Sequence, residues 1–255
     1  MINIKTKSDI LKMRKAGQVA AEILDEVVSQ VKVGISTAQL NDLTHASIKK
    51  HRATSATYHY KNGNKIFPGY ACFSINDVVV HGIPSDEIVL EDGDVISIDV
   101  ATCYDGFVGD NTRTIPVGNV DEKIKNLVNI TELALQAGID AAIPGNHVGD
   151  ISYAIQCHAD MHGYGVVKEL VGHGVGRDMH EEPQVPNYGK PVTGPALKEG
   201  MTIAIEPMFT LGKSNIFTTN DGWTIKTVDG SVAAHCEHTI LITNNEPEVL
   251  TLVKK

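Results

Sequence analysis

The stretch VISIDVATCYDGFVGDNTRT, residues 95 to 114, constrains this chain more than any other. Its Asp105-Gly106 step signals a tight two-residue β-hairpin loop. With Tyr104 paired to Phe107, residues of opposite parity face each other across the strands. Side chains alternate with period two, so Asp99 and Asp110 fall on one sheet face as diagonal neighbours. Two carboxylates that close on an apolar face repel unless a cation sits between them. The hairpin therefore predicts a metal site.

Three other segments supply matching donors. MTIAIEP (201–207) sets Ile203 and Ile205 on one face and Thr202, Ala204 and Glu206 on the other, and Pro207 ends the ladder. In AHCEHTILIT, Glu237 shares a face with His235 and Thr239. A buried carboxylate is expensive without a partner. GHGVGRDMHEEP (172–183) frames His173 and His180 with glycines that permit close approach to a ligand, and His81 closes the β-branched run VVV before a Gly/Pro turn. Asp99, Asp110, Glu206 and Glu237 with one neutral histidine make five ligands, and four carboxylates balance two divalent cations. Metal ions about 3.5–4 Å apart share a hydroxide that attacks a carbonyl. Oxygen-rich, thiolate-free ligation suits Mn(II), Fe(II) or Co(II), with Zn(II) also accommodated.

Composition narrows the class. The 255 residues carry a net charge of −9, which argues against broad phosphate-backbone binding, so no specific nucleic-acid partner is expected. Cys72, Cys103, Cys157 and Cys236 form no C-x-x-C pair and fit a reducing compartment. The start MINIKTKSDI lacks an apolar leader, and no run approaches a membrane span. The expectation is a soluble cytoplasmic protein with no membrane partner. The pattern predicts a helix capped by Ser8 and running to about Val33, stopped by Gly34, with Leu11 on its apolar stripe. A second helix, capped by Thr37, ends near His51. After strands the order repeats, with helices over about Glu122 to Gly138 and Asp150 to His162, then strands again. Two helices then strands, twice, predicts related halves of about 1–118 and 119–255 within one domain, 1–255.

The segments NDVVVHGIP (76–84), ISIDV with GDNTRT (97–114), GHGVGRDMHEEPQV (172–185), MTIAIEPMF (201–209), DGWTIKT (221–227) and EHTILIT (237–243) resemble the methionine aminopeptidases of the short bacterial type, in the wider family with creatinase and prolidase. The resemblance implies the α/β (α+β) "pita-bread" fold, a pseudo-two-fold, antiparallel-rich curved sheet with helices on its outer face. It implies removal of N-terminal methionine from new polypeptides, preferentially before a small second residue, at a dinuclear centre. Asp99, Asp110, His173, Glu206 and Glu237 would be the metal ligands, with Asp110 and Glu237 bridging. Glu206 would relay the proton, His81 and His180 would contact the substrate during catalysis, and Cys72, Phe67 and Trp223 would surround the methionine side chain. Two divalent ions (Co, Mn, Fe(II) or Zn), a monovalent cation nearby, a monomeric state and transient ribosome contact complete that picture. The sequence departs from the family pattern in a longer segment at 58–70, at Asn111, and at His235-Cys236. Prolidase-like and non-catalytic binding relatives are the rival readings. An additional N-terminal domain marks the prolidase-like relatives and lost ligands the non-catalytic ones.

Overall fold

The Asp105-Gly106 hairpin forms in the register that its turn dictates. Strand β1 (Val95–Tyr104) pairs antiparallel with β2 (Phe107–Pro116), with Tyr104 opposite Phe107, Asp99 opposite Thr112 and Ala101 opposite Asp110. Asp105 and Gly106 take φ of 50° and 78°, as a type I′ loop requires. The structure is a computed structural model describing residues 1–253.

Strands β3 (Val171–Gly174), β4 (Thr202–Ile205) and β5 (Glu237–Leu241) extend the hairpin into a nine-stranded sheet, in spatial order β1-β2-β5-β4-β3, with Glu181–Pro186 beyond β3. Thr54–Ser55 and Cys72–Ile75 flank the other edge of β1. Strands from before and after residue 118 thus share one antiparallel sheet.

Four helices, α1 (Lys7–Val28), α2 (Thr37–Lys50), α3 (Glu122–Asp140) and α4 (Val148–His162), cover one side of it. Helix α1 crosses β2 at Gly109, where an added Cβ would lie 2.6 Å from the Ala16 carbonyl oxygen. Gly138 of α3 similarly approaches Ile205 of β4. Gly109 and Ile205 immediately precede Asp110 and Glu206, so alternation turns the carboxylates to the opposite, helix-free face. Two apolar cores follow. One joins α1 and α2 to Ile96, Ile98 and Val100, and the other joins α3 and α4 to Ile203, Ile205 and Ile240. Among the described residues no helix is long and apolar enough to cross a membrane.

The helix ends differ from the sequence expectation. Helix α1 is capped by Thr6, not Ser8. Its hydroxyl accepts the Asp9 N–H while the Asp9 carboxylate accepts the Thr6 N–H, a reciprocal capping box. Ser36 and Gln39 do the same for α2, in place of Thr37. Helix α1 stops at Val28 and not near Val33, because the Ser29 hydroxyl bonds back to the Glu26 carbonyl in a local turn. Gly34 serves a later turn at φ 86°. Leu11 is exposed, outside the stripe assigned to it. Helix α3 runs on to Asp140, and α4 starts at Val148 behind a cap at His147.

Close packing at Gly109 makes a prediction. Gly109→Ala should push α1 from β2 and destabilise the fold by about 1–3 kcal/mol, read as a lowered urea midpoint. An unchanged midpoint would show slack at this crossing.

Candidate metal centre

Strand register alone carries the acidic side chains to one place. Thr112 of β2 pairs with Asp99 on one side and with Glu237 of β5 on the other, so Asp99, Thr112 and Glu237 form a row across three strands. Asp110 lies two residues from Thr112 on the same face. On β4, Ile205 is opposite His238, which carries Glu206 opposite Glu237. There both chains bend. Met208–Thr210 and Ala233–His235 continue the same register in a separate three-stranded sheet, and the Cys236 N–H bonds the Pro207 carbonyl at 3.3 Å. Gly174 of β3 pairs with Ile203, which sets His173 on the acidic face. His173 Nε2 lies 3.5 Å from Glu206 Oε1 and 3.9 Å from Asp110 Oδ2. Asp110, His173 and Glu237 each offer a donor atom within 4.8 Å of the others. All five expected ligands line one cavity of about 700 Å³.

Burial dominates the electrostatics. It pushes the Asp110 and Glu237 carboxyls well above their ordinary range, with repulsion among the neighbouring acids adding to it. Glu206 rises to about 8 and Asp99 to about 6, again chiefly through burial. The ion-pair neighbours of Asp110 and Glu206 are imidazoles, His173 and His235. Glu237 Oε2 accepts the Thr112 hydroxyl at 2.9 Å, while Oε1 is buried with no hydrogen-bond partner. An orphaned carboxylate oxygen beside three more acids fits a divalent cation and little else. His173 fits as well. Its Nδ1 lies 2.9 Å from the Gly174 carbonyl, which can only accept, so the proton sits on Nδ1 and the Nε2 lone pair faces the acids. Burial lowers the His173 pKa to about 4, keeping the ring neutral. Cys72 adjoins Asp99, but burial raises its thiol far enough to keep it protonated and out of the ligand set.

The other predicted residues converge on the same cavity. His81, at φ 59°, follows strand Val78–Val80, and burial lowers its pKa to about 4. His180 stands at the mouth, its ring edge-on to His173 at 4.4 Å between centroids. Phe67, Cys72 and Trp223 form a small apolar cluster, with the Phe67 and Trp223 rings at 83°. His235 is not on the strand of Glu237 as expected, since the chain changes sheets at Cys236. Because register continues through the bend, His235 still faces the cavity, buried, with an Nε2 that makes no hydrogen bond and lies 3.5 Å from Glu206 Oε2. Tyr60, Met179 and Met208 also line the cavity and escaped the sequence reading. Tyr60 is carried by a small hairpin, Lys61–Asn62 with Lys65–Ile66, whose Gly63-Asn64 loop is the signal that could have found it. Tyr58 stacks between His59 and Tyr70, apart from the cavity lining.

The sequence profile described as "Metallopeptidase family M24" matches residues 11–244. The chain belongs to this family. Methionine aminopeptidase 1 of Bacillus subtilis is 45% identical over 253 residues, which is 99% of this chain and 100% of that protein. The crystal structure of methionine aminopeptidase from Rickettsia prowazekii has a TM-score of 0.95 to this chain at 45% identity, covering 99% of this chain and 100% of that one. A prolidase from Pyrococcus horikoshii shares the fold with a TM-score of 0.77 at 25% identity, with 99% of this chain but only 64% of the prolidase covered. The pita-bread fold expected from the sequence is the fold observed. Membership of family M24 and the buried donor set together imply a divalent metal.

The raised carboxyls set a pH dependence for metal-stripped protein. A group such as Glu206, raised on folding from 4.5 to about 8, favours the fold below its unfolded value and loses that contribution as pH rises through its folded one. Thermal stability of stripped protein should therefore fall across that interval, and Mn(II) or Co(II) should restore it. Asp110→Asn should weaken that fall, stabilising stripped protein at neutral pH while abolishing the metal-dependent gain. Scanning calorimetry with and without metal checks both. A variant that still gains stability from metal would remove Asp110 from the ligand set.

Proposed function

We propose that this chain removes the N-terminal methionine from new polypeptides, preferring a small second residue, at a centre holding two divalent ions. What carries this reading is a five-donor acidic face opening directly onto the Phe67–Cys72–Trp223 cluster, in a chain similar over its full length to methionine aminopeptidases. Asp99 and Asp110 come from the first half (1–118), and His173, Glu206 and Glu237 from the second (119–255), of one catalytic domain. Asp99, Asp110, Glu206 and Glu237, with His173, would hold two divalent ions, and the four carboxylates would offset their charge. Mn(II), Fe(II), Co(II) and Zn(II) all suit this donor set.

Bound divalent ions supply Lewis acidity, polarising the first peptide carbonyl and making a water acidic enough to attack at neutral pH. The protein does the rest. Phe67, Cys72 and Trp223 hold the methionine side chain and exclude water from it. Glu206 relays a proton through its carboxylate from the attacking water to the leaving amine. His180 stabilises the oxyanion of the tetrahedral intermediate, and neutral His81 hydrogen-bonds the scissile amide. A monomer acting on nascent N-termini in the cytoplasm, with only transient ribosome contact, meets these requirements.

Metal-loaded enzyme should cleave Met-Ala-Ser about a hundredfold or more faster than Met-Lys-Ser, and leave Xaa-Pro substrates intact. Equal rates on the first two, or preferred Xaa-Pro cleavage, would overturn the assignment. His81→Ala should retain its metal by elemental analysis while kcat falls about a hundredfold. Wild-type turnover in that variant would take His81 out of the chemistry.

A further inference from the structure

Two imidazoles in this cleft lie ring against ring, yet their Nδ1 atoms meet opposite partners. His173 Nδ1 faces a backbone carbonyl, a pure acceptor, at 2.9 Å. His180 Nδ1 faces the Tyr60 hydroxyl at 2.7 Å. A phenol is a far stronger acid than a neutral imidazole N–H, and an sp² ring nitrogen a far better base than a phenol oxygen. Between neutral partners the bond therefore runs from Tyr60 O–H to His180 Nδ1. Burial raises the Tyr60 pKa, so the phenol stays protonated and keeps its O–H for the 2.7 Å contact with His180 Nδ1. A neutral ring that accepts at Nδ1 carries its proton at Nε2.

We propose that Tyr60 is a positioning residue that locks His180 in its Nε2–H tautomer, making it a hydrogen-bond donor to the substrate carbonyl and never a base or a metal ligand. The role of His180 as oxyanion donor rests on the aminopeptidase reading above, whereas the tautomer itself does not. Tyr60 is well held for this task. Its N–H bonds the Thr57 carbonyl and its carbonyl accepts from Phe67, both at 2.9 Å, so it forms the base of the Lys61–Ile66 hairpin. Its ring packs edge-on to His180 and Trp223 at 5.4 and 6.5 Å between centroids. The Lys65 ammonium lies against Gly222, which precedes Trp223, so the hairpin also contacts the turn that carries Trp223. One aromatic ring thus joins the methionine pocket to the group that meets the scissile carbonyl. The histidine pair is sorted by neighbours alone, His173 into a lone pair toward metal and His180 into an N–H toward substrate.

The test is Tyr60→Phe, which keeps the ring and removes only the O–H. In zinc-loaded, ¹⁵N-histidine-labelled protein, NMR separates bare from protonated ring nitrogens, and His180→Ala identifies the His180 signals. Wild type should show a bare Nδ1 and a protonated Nε2 at His180, and Tyr60→Phe should shift them toward a tautomer average. On Met-Ala-Ser, Tyr60→Phe should lower kcat about three- to tenfold with KM unchanged. In a His180→Ala background the same change should cost nothing further. A bare Nε2 at wild-type His180, an unaltered tautomer in Tyr60→Phe, or rate losses that multiply in the double variant would each overturn the proposal. Should wild type fail to cleave Met-Ala-Ser, the aminopeptidase reading falls, and the NMR comparison still decides the role of Tyr60.

Discussion

Four carboxylates share one buried sheet face where, among the described residues, imidazoles are their only ion-pair partners, and the rest of the cleft answers to that arrangement. In the folded chain each costs free energy to ionise, and each is pushed toward its protonated form. Packing elsewhere must offset this cost until a divalent cation removes it. The helices lie behind the sheet and bury ample apolar surface in two cores, so the front face is free to be electrostatically poor. A fold with its strength on one side and its chemistry on the other suits a metallopeptidase of family M24.

Much of this arrangement was legible in the sequence because period-two alternation is rigid. Once Asp105-Gly106 fixes the hairpin register, Asp99 and Asp110 must share a face, and the same parity extends through Thr112 to Glu237 and Glu206. Helix caps were less legible. Thr6 and Ser36 are recognised only together with Asp9 and Gln39, and a polar residue nearer the apolar stripe drew the boundary inward. Period-two alternation runs His235 and Glu237 along one strand, and nothing in AHCEHT marks the bend at Cys236, which lies opposite Pro207 of the neighbouring strand. Such a partner is invisible to local reading. Tyr60 was missed for a related reason. Its value depends on a Gly63-Asn64 turn that folds the segment back, and on His180, which is 120 residues away.

The histidines show how little the residue type says by itself. His81, His173, His180 and His235 are all held below the ordinary imidazole range by burial, so all four are neutral near pH 7. What separates them is the group touching the second ring nitrogen. A carbonyl behind His173 leaves a lone pair in front, and a phenol behind His180 leaves a proton in front. In the proposed reading, backbone and hydroxyl placement would divide metal binding from substrate binding.

The spatial order β1-β2-β5-β4-β3 also fixes when the cleft can exist. The strand carrying Glu237, made late in the chain, wedges between the strand that carries Asp110 and the one that precedes Glu206. Until it inserts, the two acidic edges have no common neighbour, and the donors from either half stand as unrelated fragments. The donors of the two halves are therefore neighbours only through the strand of Glu237, paired on both of its edges.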